Sequence, residues 1–118
     1  GDLSEESGHR LTLALLSLPH PPTAILCAND LMALGALRAL RERGLKAGRE
    51  VSVIGYDDIP PAPYTDPPLS TLHQPFREMG RRLVEMLLAR LAGTPAEELQ
   101  EIWVPELILR RSDGPPQS

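Results

Sequence analysis

From Leu3 to Leu18 the apolar residues recur three and four apart, and Leu11, Ala14, Leu15 and Leu18 make one stripe at helical spacing. Ser4 stands ahead of the run as a cap, and Glu5 and Glu6 occupy the first turn, where acids favour the helix dipole. The segment "PHPP" stops that helix. "TAILCA" follows as a run apolar at nearly every position, bounded by prolines and by "ND", which predicts a buried strand. Helical spacing returns in "DLMALGALRALRERG", with Asn29 or Asp30 as cap and Gly44 as terminator. "VSVIGY" predicts a second buried strand, "IPPAPYTDPPLS" a loop, and "STLHQ" a short extended segment. "PFREMGRRLVEMLLARLAG" is the strongest helical pattern, with Pro75 at its first position and Gly93 as its stop. Phe76, Met79, Leu83, Leu87 and Leu91 line its apolar face, with Gly80, Val84 and Leu88 beside them. Pro105 splits "EIWVPELILRR" into two short apolar runs, and "SDGPPQS" is expected to be frayed.

Strand, helix, strand, with both strands apolar on both faces, is the βαβ unit of a parallel sheet. The order has a functional consequence. Parallel strands point the same way, so "ND" after the first and "DD" after the second reach one edge of the sheet. That carboxyl-end rim is where open α/β sheets bind ligands. Asn29, Asp30, Asp57 and Asp58 are therefore expected on one rim.

Composition narrows the possibilities. A length of 118 residues suits one modest domain or part of a larger one. Hydrophobic residues make up 42%, enough for a core, but aromatics only 3%, so a complete aromatic-lined pocket is not expected. The net charge is −4 and no basic stripe stands out, which argues against a nucleic-acid surface in these residues. Cys27 is the lone cysteine, excluding an internal disulfide and a cysteine-based zinc site. No apolar run approaches the ~20 residues of a membrane span, and no signal pattern opens the chain, so a soluble, cytoplasmic protein is expected.

Paired acids at Asp57 and Asp58 can do acid/base work, hold a cation, or accept hydrogen bonds from a polyol. The plainer reading is a turn after a strand, where Asp bonds its own backbone. Asp30 and Asp66 show no calcium-loop spacing with the pair, so no metal is expected. One of Asn29 and Asp30 caps the helix, leaving the other free, and an Asn amide could read a sugar hydroxyl or a heterocycle edge. His9, His20 and His73 are scattered. Ser70, His73 and Asp66 form a triad only on paper, since no strand–turn–helix elbow surrounds the serine. The residues demand no catalysis, and no enzyme is expected.

Four blocks, "PPTAILCANDLMALGALRALRERGLKAGREVSVIGYDDI", "PPLSTLHQP", "EMGRRLVEMLLARLAG" and "VPELILRRS", together resemble the LacI/GalR family of bacterial transcriptional regulators. The resemblance covers about residues 3–112 and is confined to the C-terminal part of that family's effector-binding core. It implies an α/β, parallel-sheet sandwich, a partial periplasmic-binding-protein-like fold whose two subdomains enclose a small-molecule cleft. By that resemblance Asn29, Asp57, Gln74 and Phe76 are effector-binding positions, and Asp58 is the weaker acid. Leu34, Arg38 and Tyr64 fall where the family dimerises.

The implied division assigns 1–74 to the C-terminal subdomain and 75–105 to a helix and strand of the other subdomain. Residues 106–111 are then a return strand and 112–118 a disordered tail. The implied function is effector sensing and dimerisation in a repressor, with a sugar or nucleoside-like effector shifting the DNA-binding equilibrium. Expected partners are the effector and a second copy, without cofactor or membrane. Operator DNA is reached only through a helix-turn-helix domain absent from this chain. A periplasmic sugar-binding protein of a transporter is the alternative. The apolar helical face over 76–91 is expected to be covered by another copy of the chain.

Overall fold

A computed structural model of the chain describes residues 2–116; of the expected tail, 117 and 118 lie outside the described residues. Two compact units are distinguished, one made of the residues up to His73 together with those from Leu107 onward, the other of Gln74–Glu106.

In the first unit, α1 (Glu5–Leu16) starts where Ser4 Oγ accepts from the Ser7 amide at 3.1 Å. Its buried face is not the leucine stripe. Ser7, Gly8 and Thr12 face inward, while Leu11, Leu15 and Leu18 are exposed by 40%, 37% and 50%. The reason lies in the crossing with α2 (Asp30–Glu42). A Cβ on Gly8 would stand 2.1 Å from the Met32 carbonyl oxygen, and one on Gly35 would stand 2.0 Å from that of Glu5. The backbones approach so closely that only small side chains fit between them, which turns the leucines outward. Leu11 and Leu15 instead border an apolar cavity of about 250 Å³ with Ile25, Leu26 and Met32.

The parallel unit forms as expected. β1 (Ala24–Leu26) pairs with β2 (Ser52–Ile54) in the register Ala24↔Ser52, Ile25↔Val53, Leu26↔Ile54, and α2 joins them. Ala33, Ala36, Leu37 and Leu40 of α2 meet Val51, Val53 and Leu69 in the core. Only β2 is the buried strand the pattern predicts. Leu26 of β1 is 73% exposed, because among the described residues β1 has a strand neighbour on one side only.

β3 (Thr71–His73) pairs with β4 (Glu106–Ile108). Parallel bridges Ile54↔Ser70 and Asp57↔His73 bring β3 alongside the continuation of β2, with the Asp57 amide donating to the Leu72 carbonyl at 2.8 Å. The start of the expected tail is ordered. Ser112 is fully buried; its hydroxyl accepts from the Ser70 amide at 2.7 Å and donates to the Val53 carbonyl at 2.5 Å. The Gly114 amide donates to Ser52 Oγ at 3.0 Å. Composition suggested fraying, but these bonds to Ser70 and to β2 supply the partners that hold the segment.

In the second unit, α3 (Phe76–Leu91) begins one residue after Pro75, which precedes the helix rather than opening it. No residue of α3 is buried. Glu101 reaches back to it, bonded to Arg82 at 2.5 Å and to the Trp103 indole at 3.2 Å. The strand expected before Pro105 does not form: residues 101–105 are irregular, with Ile102 and Val104 exposed, and nothing described in this unit offers them a ladder. Among the described residues no helix is long and apolar enough to cross a membrane.

Candidate functional site

The carboxyl ends of β1 and β2 are held together past the strands themselves. The Cys27 amide donates to Ile54 at 2.8 Å, and the Asp30 amide to Tyr56 at 2.9 Å. These bonds set Asn29 and Asp30 beside the residues that lead into Asp57, as the parallel order requires.

The four polar residues then take different tasks. Asn29 is the helix cap: its Oδ1 accepts from the Met32 amide at 2.9 Å, and its Nδ2 donates to the Leu3 carbonyl at 3.0 Å. One N–H and one lone pair of the amide remain for a ligand. Asp30 is not free. It is fully buried, accepting from Thr71 Oγ1 at 2.6 Å and from the Ile59 amide at 2.9 Å. A buried carboxylate is tolerated when hydrogen bonds replace its water. The space for it comes from Gly55, where a Cβ would stand 2.1 Å from Asp30 Oδ1. Sequence reasoning missed this knot; the glycine of "VIGYDD" and the spare acid beside a cap were its only signals.

Asp57 and Asp58 both have positive φ, 123° and 65°, an unusual backbone for residues other than glycine. Their side chains part company. Asp58 is engaged on both oxygens, Oδ1 by Arg110 at 2.9 Å and Oδ2 by His73 Nδ1 at 2.9 Å. Arg110 also donates to the Leu69 carbonyl at 2.8 Å. Asp57 has no hydrogen bond to its carboxylate from any described residue; burial and the negative charge of Asp30 push its carboxyl above the ordinary range.

Gln74 and Phe76 fall in the second unit, where the Phe76 amide donates to the Gln74 carbonyl at 2.9 Å and the Phe76 ring is exposed. Leu34 and Arg38 lie one turn apart on α2, both half-buried, and Arg38 pairs with Glu5 at 3.6 Å. Tyr64 ends a short turn, Ala62–Tyr64, and is 87% exposed. The paper triad is not assembled: Ser70 donates to Asp113 and accepts from the Arg110 amide, while His73 turns to Asp58. No group of three potential metal ligands occurs among the described residues. The arrangement offers a bare acceptor and an amide, suited to binding a hydroxyl- or N–H-bearing molecule.

Residues 2–112 match the family described as periplasmic binding protein-like domain. The HTH-type transcriptional repressor PurR of Escherichia coli O139:H28 is 48% identical over 118 residues, a stretch covering 98% of this chain and 34% of PurR. The chain thus spans about a third of the length of the curated relatives it matches. Among solved structures, a LacI-family regulatory protein from Chloroflexus aggregans superposes with a TM-score of 0.87 at 44% identity, over 97% of this chain and 41% of that one. A dimeric Lac repressor gives 0.86 at 37% identity, over 99% and 43%. The chain belongs to the periplasmic binding protein-like domain family.

Proposed function

We propose that this chain forms one wall of the effector cleft of a transcriptional repressor, with Asp57 as the principal hydrogen-bond acceptor for a small-molecule effector. The observation that carries the reading is the contrast at "YDD": Asp58 is satisfied on both oxygens, whereas the Asp57 carboxylate is part-desolvated and without a partner among the described residues. A ligand bearing hydroxyl or N–H groups, such as a sugar or a nucleoside, supplies what Asp57 lacks. Asn29 contributes its remaining N–H and lone pair. The role is binding, not catalysis.

Leu34, Arg38 and Tyr64 contribute to a homodimer, and effector binding shifts the equilibrium between DNA-competent and released states. Operator DNA is contacted by a helix-turn-helix outside these residues, in the cytoplasm. The named relatives are repressors, which favours this over a transporter's sugar-binding protein.

Calorimetric titration of the full-length regulator with a panel of monosaccharides, disaccharides, nucleosides and free nucleobases tests the reading. At least one is expected to bind, and Asp57→Ala to weaken it about ten- to a hundredfold, the worth of a charge-assisted hydrogen bond. Binding that survives Asp57→Ala unchanged contradicts the assignment.

A further inference from the structure

We propose that Asp58 is the positioning residue for Asp57: gripped by His73 and Arg110, it fixes the left-handed backbone of the two acids and ties that backbone to β3, where the chain leaves the first unit, and to the segment just after β4, where it has returned. The inference rests on the reading of Asp57 as the ligand-binding acid.

Its first support is the backbone. Consecutive non-glycine residues at φ 123° and 65° persist only where their surroundings over-determine them. The surroundings here are Asp58's two bonds and the Asp57 amide's bond to Leu72. The second support is where the partners sit. His73 is the last residue before the second unit begins at Gln74, and Arg110 follows shortly after the first unit resumes at Leu107.

Arg110 is itself immobilised. Its amide donates to Ser70 Oγ at 2.8 Å, and its guanidinium donates to Leu69 as well as to Asp58. The Asp58 and Arg110 side chains are only 16% and 17% exposed, so solvent screens this pair less than a surface ion pair.

The grip has two effects. It spends the nearby cation on Asp58, leaving Asp57 as the acceptor that a ligand's donors must satisfy. It also makes any shift of β3, or of the segment that follows β4, a shift of the Asp57 backbone. A ligand that draws on Asp57 therefore biases β3 and the segment after β4, and by reciprocity those segments bias its affinity.

The test is nuclear magnetic resonance on the isotope-labelled full-length regulator and its variants Asp58→Asn, Arg110→Gln and Arg110→Lys. Exchange of the Asp57 amide is expected to speed up roughly ten- to a hundredfold in Asp58→Asn and Arg110→Gln. The Cα and Cβ shifts of residues 57 and 58 are expected to move toward extended-backbone values in the same variants. The Ile59 amide, held by Asp30, serves as control and is expected to exchange as before, while Arg110→Lys restores most of the wild-type pattern. If Asp58→Asn does not fold, His73→Gln, at a half-exposed site, takes its place. Unchanged Asp57 signals overturn the proposal, as does equal acceleration of Ile59, which marks general loosening.

None of these signals needs a ligand, so they decide the positioning role even if the panel yields no binder. Conversely, affinity that is lost in Asp57→Ala yet kept in Asp58→Asn overturns the positioning role and leaves the binding role of Asp57 standing.

Discussion

Thr71 Oγ1 donates to Asp30 Oδ1 at 2.6 Å across 41 residues of sequence, with both residues fully buried. This bond, with that of the Ile59 amide, lets a carboxylate sit in the core directly behind the rim. It pins the start of α2 to β3 and to the loop after Asp58. After burial, the charge of Asp30 is the second cause that pushes the Asp57 carboxyl up. The knot therefore joins the fold to the chemistry of the site.

Thr71→Val keeps the shape of the side chain but removes the donor. Leaving a buried carboxylate short of one bond is expected to cost about 1–3 kcal/mol. Gly55→Ala is expected to cost about as much by driving a methyl group onto Asp30 Oδ1. Urea unfolding measures both, and midpoints like the wild type's contradict the role assigned to Asp30.

A raised Asp57 pKa has a definite sign. The folded chain holds that proton more tightly than the unfolded chain, so this contribution to stability is fully present below the ordinary carboxylate range and is lost as pH rises through the raised folded value. Asp57→Asn is therefore expected to gain stability over the wild type at neutral pH, and to show a smaller gain or none in acid. The effect is modest, since the site is only partly buried. Ligand donors favour the ionised form, so binding near this pKa releases a proton and affinity falls on acidification. Unfolding curves and titrations at paired pH values check both directions; a gain confined to acid reverses the account.

Leu83, Leu87 and Leu91 present an uncovered face on α3. Burying such side chains is worth about 1.5–3 kcal/mol each, so the 118-residue chain is expected to self-associate. Leu83→Glu with Leu87→Glu is expected to reduce it. Sedimentation velocity decides, and a wild-type monomer at high concentration contradicts the expectation.

The elements were legible because their signals are local. Helical spacing from Glu5 and Asp30, the apolar run into Ile54 and the caps Ser4 and Asn29 lie within a few residues of what they specify. Parallel order alone was enough to bring Asn29 toward Asp57. What could not be read depends on distant partners. The outward turn of Leu11 and Leu15 follows from glycines on two helices, Gly8 and Gly35, meeting backbone. Ser112 is held by residues 42 and 59 positions away, which composition does not encode. The opposite fates of the adjacent carboxylates were foreshadowed only by the family resemblance, because Arg110 separates the two acids only once β4 has returned.

The central claim is that Asp57 senses an effector. Its most direct test is operator-DNA binding by the full-length regulator, wild type and Asp57→Ala, with and without a compound from the panel that binds. Both proteins are expected to hold operator alike in the compound's absence, and only the wild type to change its operator affinity when the compound is added. An equal change in Asp57→Ala would contradict the account.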